Sequence, residues 1–315
     1  MARPLVVAHR GSSHLLAEHT LGAYLRAIDE GADGLECDVR LTRDGHLVCV
    51  HDRKVDRTSN GHGIVSEFDL DDLHGLDFGS WKPLPPPAAV APAFDAVVPD
   101  AVVPDAVVPG AVVPGAAVPD AAVAAGGAGH AGGAGHAAVE DRDAAASPTP
   151  VLILERLLEV VVDAGRPLRL LIETKHPTRY AGLVEQKLVR LLNRFGLGGT
   201  GRRDGTDVRV MSFAVVGLRR VRLLAPDLPT VLLLDRVPIV RRDGSLPSGV
   251  RAAAPGLHVV RAHPEYVGRV HARQHEVYVW TVDSPADVEL MLALGVDAII
   301  TNRPADVLAQ LRQSR

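Results

Sequence analysis

Gly34-Leu35-Glu36-Cys37-Asp38-Val39 reads as a buried strand that carries two carboxylates on one of its faces. The strand period of two puts Leu35, Cys37 and Val39 on one side and Glu36 and Asp38 on the other. Along a strand the Cα atoms of Glu36 and Asp38 would lie roughly 6.6 Å apart, so both side chains can reach one cation. Without a cation, two carboxylates so close do not stay ionised cheaply. A parallel (β/α) barrel accommodates such a strand. Polar residues at the C-terminal strand ends line its active site, while the rest of each strand is core.

The flanking sequence fits that architecture. Short β-branched runs alternate with longer amphipathic segments, as repeated βα units require. Strands are expected at 5–8, 34–39, 46–50, 169–173, 208–212, 230–234, 257–261, 276–281 and 298–301. Helices are expected at 20–30, 154–164, 180–195, 214–225, 264–273, 286–294 and 304–312. Allowing one hairpin return leaves about eight parallel strands, a (β/α)8 TIM barrel. The whole chain, 1–315, then reads as a single barrel domain interrupted by an insertion at about 83–146.

Other run ends are also polar. His9 and Arg10 close the first run, His51 follows Leu47 to Val50, and Glu173 ends the run 168–173 with Lys175 just beyond. Glu36, Asp38 and Glu173 form an all-oxygen donor set suited to a hard divalent cation, Mg²⁺ or Ca²⁺, and no His/Cys cluster with zinc spacing accompanies them. Two histidines beside such a cluster can divide the roles of acid and base near neutral pH. Arg10 and Lys175 suit the non-bridging oxygens of a phosphate, or else balance the carboxylates.

Bulk composition narrows the classes. The 315 residues are 47% hydrophobic, enough for a sizeable core, and 34 basic against 38 acidic residues leave a net charge of −4. That balance makes no field to attract nucleic acid or anionic lipid. Cys37 and Cys49 sit in apolar runs and read as free thiols in a reducing compartment. The apolar stretch Leu5–Ala8 is too short for a secretory leader, so cytoplasmic residence is expected. No run reaches the roughly 18 apolar residues that span a bilayer, so stable membrane insertion is not expected.

The insertion is low in complexity. It carries no Lys or Arg from Pro83 to Asp141 and repeats Asp-Ala-Val-Val-Pro with prolines at 99, 104, 109, 114 and 119. That spacing forbids a helix, and the segment is expected to be disordered. His130 and His136, in the following Gly/Ala/His tract, read as linker drift rather than as metal ligands.

The ordered string of motifs resembles the glycerophosphodiester phosphodiesterase family over nearly the whole chain outside the insertion. It comprises His9-Arg10-Gly11, Glu18-His19-Thr20, the segment Gly31 to Val39, and Thr42-Arg43-Asp44-Gly45 through His51-Asp52. Ile172-Glu173-Thr174-Lys175, Ser212-Phe213, Trp280-Thr281-Val282-Asp283 and Thr301-Asn302-Arg303-Pro304 complete it. The resemblance implies a barrel hydrolase that cleaves a small-molecule glycerophosphodiester to an alcohol and glycerol 3-phosphate. Its divalent metal would be held at Glu36, Asp38 and Glu173, and His9 and His51 match the family's catalytic pair. Trp280 reads as an apolar wall for the glycerol carbons or as a core residue.

Three departures from the family pattern stand out. His19 replaces a usual Asn, Asn302 replaces a common Asp, and the insertion has no family-like composition. Two alternatives remain: a lysophospholipase D or phospholipase-type barrel acting on lipid, and a non-catalytic glycerol-phosphate-binding barrel.

Overall fold

Eight strands pair in parallel and close on themselves in the computed structural model, which describes residues 3–83, 148–199 and 205–313. They are β1 (Leu5–His9), β2 (Gly34–Leu41), β4 (Arg169–Thr174), β5 (Asp207–Ser212), β6 (Thr230–Leu234), β7 (Ala252–Pro255), β8 (Glu276–Val279) and β9 (Ala298–Thr301). Each neighbours the next, and β9 returns to β1 through the register Leu5↔Ala298 to Ala8↔Thr301. The expected hairpin return is β3 (Leu47–Cys49), which pairs antiparallel with β2. These residues belong to the compact unit Met1–Ala93 and Pro148–Arg315. Beyond Pro83, the low-complexity segment, with His130 and His136, lies outside the described residues.

Helices α1 (Leu21–Asp29), α2 (Leu70–His74), α3 (Leu154–Val162), α4 (Leu183–Arg194), α5 (Val215–Leu224), α6 (Leu257–Ala262), α7 (Glu265–His271), α8 (Pro285–Leu294) and α9 (Pro304–Gln313) follow the strands. Local chemistry sets several of their ends. Thr20 accepts from Ala23 N at the start of α1; Ser284 accepts from Asp287 N before the Pro285 that opens α8. Gly295, at φ 69°, ends α8 in the left-handed conformation that glycine adopts without a Cβ penalty.

One expected strand is corrected. Residues 257–261 lie in α6, and the seventh barrel strand is Ala252–Pro255. Alanine is a poor strand former, but these residues are buried on both faces, where neighbouring strands and a crowded interior override propensity. The short helix α2 was also not expected from the sequence; Asp69 and Asp72 close a capping box around its first turn.

The inward-pointing residues fall into layers. At the N-terminal end Arg169, Asp207, Arg209, Glu276 and Tyr278 form a polar plug, with Arg169 bonded to Asp207 at 2.6 Å and Arg209 to Glu276 at 2.9 Å. Above it, Val7, Leu171, Met211, Val231, Leu233, Ala252, Ala254, Ala298 and Ile300 fill the barrel. The next inward positions towards the C-terminal mouth are His9, Glu36, Asp38 and Glu173. The outward faces, such as Leu35, Cys37 and Val39, pack beneath the helices. Cys37 and Cys49 are free and buried. Among the described residues, no helix is long and apolar enough to cross a membrane.

Candidate active site

Three strand ends supply the centre of the site. β2 and β4 run side by side with Asp38 opposite Glu173, and β1 pairs with β2 so that His9 stands opposite Glu36. Donor oxygens of Glu36, Asp38 and Glu173 therefore come within 4.8 Å of one another, and all three residues are buried. Burial and the Asp38 charge push the Glu36 carboxyl well above the usual range. The same two causes raise Glu173 to about 8. Burial also works against ionised Asp38, but the His19 hydrogen bond and the charges of Lys175 and Arg10 hold it well below the usual range. Such a cluster fits a hard divalent cation. It offers only oxygen donors, and burial together with the Asp38 charge pushes two of its three carboxyls above their ordinary range, a cost that a bound cation would relieve.

Both expected cations are present, and both are engaged with carboxylates. Lys175 Nζ lies 2.8 Å from Asp38 Oδ1 and 2.8 Å from Glu173 Oε2. Arg10 Nε lies 3.1 Å from Asp38 Oδ2, and its Nη1 3.0 Å from Glu18 Oε1. Arg10, at φ 59°, and Gly11, at φ 83°, turn the chain back over the barrel mouth. A Cβ at Gly11 would meet the Ala23 backbone at 2.6 Å. His19, the departure from the family's Asn, places Nε2 2.9 Å from Asp38 Oδ2 and Nδ1 2.8 Å from Tyr24 Oη. Burial holds His19 below its ordinary pKa. The two ring nitrogens thus link Asp38 to Tyr24, whose hydroxyl also donates to Glu36 O at 3.2 Å.

The two expected histidines have different partners. His9 Nδ1 lies 2.8 Å from Asn302 Oδ1. Asn302 Nδ2 donates to Asp283 Oδ2 at 2.7 Å, and Asp283 Oδ1 accepts from Asn302 N and Thr301 Oγ1. A carboxylate only accepts, so this network turns the amide oxygen towards His9, fixes the proton on Nδ1 and leaves Nε2 as an acceptor. Burial and the Arg10 charge lower His9 to about 3. His51 Nδ1 instead faces a carboxylate, Asp52 Oδ1, at 2.7 Å. Asp52 bonds Arg57 at 2.6 Å, Arg57 holds Glu18, and Glu18 holds Arg10, so one ionic chain joins His51 to Arg10. Burial lowers the His51 pKa, and Asp38 and Asp52 oppose that shift.

A cavity of about 140 Å³ gathers His9, Arg10, Glu36, His51, Glu173 and Lys175 on its polar side, and Met211, Phe213, Leu233, Trp280 and Ile300 on its apolar side. Trp280 is anchored by Nε1 donating to Ala254 O at 2.7 Å, and Phe213 meets it edge to face at 5.6 Å. Drug-sized sites begin at roughly 300 Å³, so this one suits a compact ligand with a polar and an apolar side. Of the partners, Asn302 is marked in the sequence as a departure from the family pattern, whereas Asp283, Asp52, Arg57 and Phe213 carry no signal as such. Several lie inside the family-like motifs, but spacing does not say what they touch.

Known proteins resemble this chain over nearly its whole length. The model of the glycerophosphoryl diester phosphodiesterase family matches residues 9–306. A probable glycerophosphodiester phosphodiesterase 1 of Mycobacterium tuberculosis is 38% identical over 312 residues, covering 99% of this chain and 94% of its own. A glycerophosphodiester phosphodiesterase of Bacillus subtilis is 30% identical over 305 residues, covering 96% of this chain and 84% of its own. Among solved structures, an Oleispira antarctica phosphodiesterase in complex with the product sn-glycerol-3-phosphate superposes with a TM-score of 0.67 at 18% identity. The match covers 98% of this chain and 97% of that one.

Proposed function

The chain belongs to the glycerophosphoryl diester phosphodiesterase family and is a phosphoric diester hydrolase; on that premise we propose that His9 and His51 carry acid-base catalysis beside a divalent cation held by Glu36, Asp38 and Glu173. The observation that carries this reading is the pair of imidazoles in one cavity with Glu36 and Glu173, two members of the buried three-carboxylate cluster, one imidazole held by an amide and the other by a carboxylate. Bound there, Mg²⁺ or Ca²⁺ would supply positive charge where negative charge gathers on the phosphate oxygens. Lys175 and Arg10 add cationic groups on the same side. Trp280 and Phe213 form the apolar wall for the glycerol carbons.

His9, neutral and with Nε2 unprotonated, takes the proton of the attacking hydroxyl, from water or from the glycerol 2-position. His51, whose imidazolium Asp52 stabilises, gives its proton to the departing alkoxide as the P–O bond to the alcohol breaks; where the 2-hydroxyl is the attacker, water then opens the cyclic phosphate to glycerol 3-phosphate, His51 taking the water's proton and His9 returning one to the 2-oxygen. The 140 Å³ cavity alone does not hold an acyl chain, so the lipid-acting alternative would have to place that chain outside it. Purified chain supplied with Mg²⁺ or Ca²⁺ should release glycerol 3-phosphate from glycerophosphocholine or glycerophosphoethanolamine. Folded protein that releases none with either metal would overturn the reading.

The Asn302–Asp283 pair makes a separate prediction. Exchanging it, with D283N and N302D together, puts a carboxylate on His9 Nδ1 and keeps an amide behind it. An opposite charge at hydrogen-bond distance raises an imidazole pKa by about 1–3 units. A base must be unprotonated to act, so raising His9 from about 3 moves the acid limb of kcat/KM to higher pH. A limb left unmoved in the exchanged, folded variant would remove His9 from the role of base.

A further inference from the structure

Beside the catalytic cavity lies a larger one, of about 380 Å³, for which the chemistry so far has no use. Its walls come from the end of β2 (Arg40, Leu41), the turn after β4 (Lys175 to Tyr180), residues 64–67 and Arg53. Lys175 lines both cavities, so they meet at the group placed against the phosphate. With the glycerol carbons against Trp280 and the phosphate beside Lys175, the other ester arm of the substrate extends into this second space.

The lining has a definite charge. Arg40, Arg53, Lys175 and Arg179 face one carboxylate, Glu67, which Arg179 already approaches at 3.4 Å. Arg53 makes no ion pair among the described residues. Arg40 spends Nε and Nη2 on a neutral acceptor, His51 O, at 3.0 and 2.6 Å. Asp38, Glu173 and Asp52 act on Arg40 through charge without bonding it, while Arg53 acts against it. Like charges sharing a cavity in this way favour an anion between them. A quaternary ammonium is poorly served. The aromatic ring in the lining is Tyr180, and the Arg179 guanidinium already lies 5.8 Å from its centroid.

We propose that the Arg40–Arg53–Arg179 cavity seats the alcohol part of the substrate and selects alcohols bearing a further negative charge, a phosphate monoester or a carboxylate. The proposal rests on the phosphodiesterase reading above. Leu41, Ile64, Val65 and Pro177 give the carbon skeleton its apolar contacts.

The test compares kcat/KM for glycerophosphoinositol 4-phosphate and glycerophosphoserine with that for glycerophosphocholine, using the full chain. The ratio of anionic to choline substrate should exceed about ten at low salt, from one or two charge-assisted hydrogen bonds, and fall as salt is added. It should collapse about tenfold in R53A/R179A and survive in R53K/R179K, a split that a structural role for these exposed arginines would not produce. A wild-type ratio of one or less, or one indifferent to R53A/R179A, overturns the proposal. Calorimetric binding of the same compounds to H9A separates the two readings. Selective binding that depends on Arg53 and Arg179, with no turnover by wild type, would sink the catalytic reading and keep the subsite; turnover with unselective binding would do the reverse.

Discussion

Exchanging Glu36 for Gln, or stripping divalent cation with EDTA, is expected to lower turnover about a thousandfold, the scale set by losing charge stabilisation at a phosphoryl centre. The cause is visible before any ligand is considered. Three carboxylates share 4.8 Å of buried space, and Glu173 is raised from 4.5 to about 8. At pH 7 the metal-free protein therefore holds a proton on Glu173 that a cation must displace. For a carboxyl with a raised folded pKa, the contribution to stability is full below the unfolded value. It is lost as pH climbs from about 4.5 to about 8. Metal binding cancels that loss, so the thermal stabilisation given by Mg²⁺ or Ca²⁺ should be larger at pH 8 than at pH 6. Titration in two buffers of different ionisation enthalpy should show net proton release. Full activity in metal-free protein, with neither heat nor proton release on titration, would refute the cation site.

Much of this centre was legible because strand geometry is local. Once Glu36 and Asp38 are placed on one face by the period of two, and polar groups recur at the ends of the first, second and fourth strands, a barrel mouth is the arrangement that uses them together. Elements that obey global rather than local constraints were not legible. Ala252–Pro255, three alanines and a proline, lacks the β-branched residues that mark a strand, and only its position between β6 and β8 makes it one. The apolar run after it, Leu257 to Arg261, looked more strand-like and is helical.

Partners across the fold were hidden for a related reason. The group that fixes the His9 tautomer lies 293 residues away, and no spacing rule connects them. Likewise, Glu18, Arg57 and Asp52 are ordinary surface charges until the β1–α1 and β3–α2 loops bring them together. Departure from the family pattern marked two positions worth inspecting, Asn302 and His19, without saying what either touches; the structure puts the His19 ring on Asp38.

His9→Ala and His51→Ala should both fall about 10²–10⁴-fold on glycerophosphocholine, the usual range for losing one acid-base group, but for different reasons. His9 takes a proton from the nucleophile, a need that does not depend on what leaves. His51 gives a proton to the leaving alkoxide, a need that vanishes when the leaving group is a stable anion. With glycerol p-nitrophenyl phosphate, whose nitrophenolate departs without protonation, His51→Ala should regain most of its lost rate and His9→Ala should regain little. Asp52→Asn should follow His51→Ala in this pattern, because it removes the charge that favours the imidazolium while leaving the Nδ1 hydrogen bond within reach of an amide oxygen. Equal recovery by both histidine variants would mean that neither is the specific acid. Recovery by His9→Ala alone would reverse the assignment, making the amide-held ring the acid and the carboxylate-held ring the base.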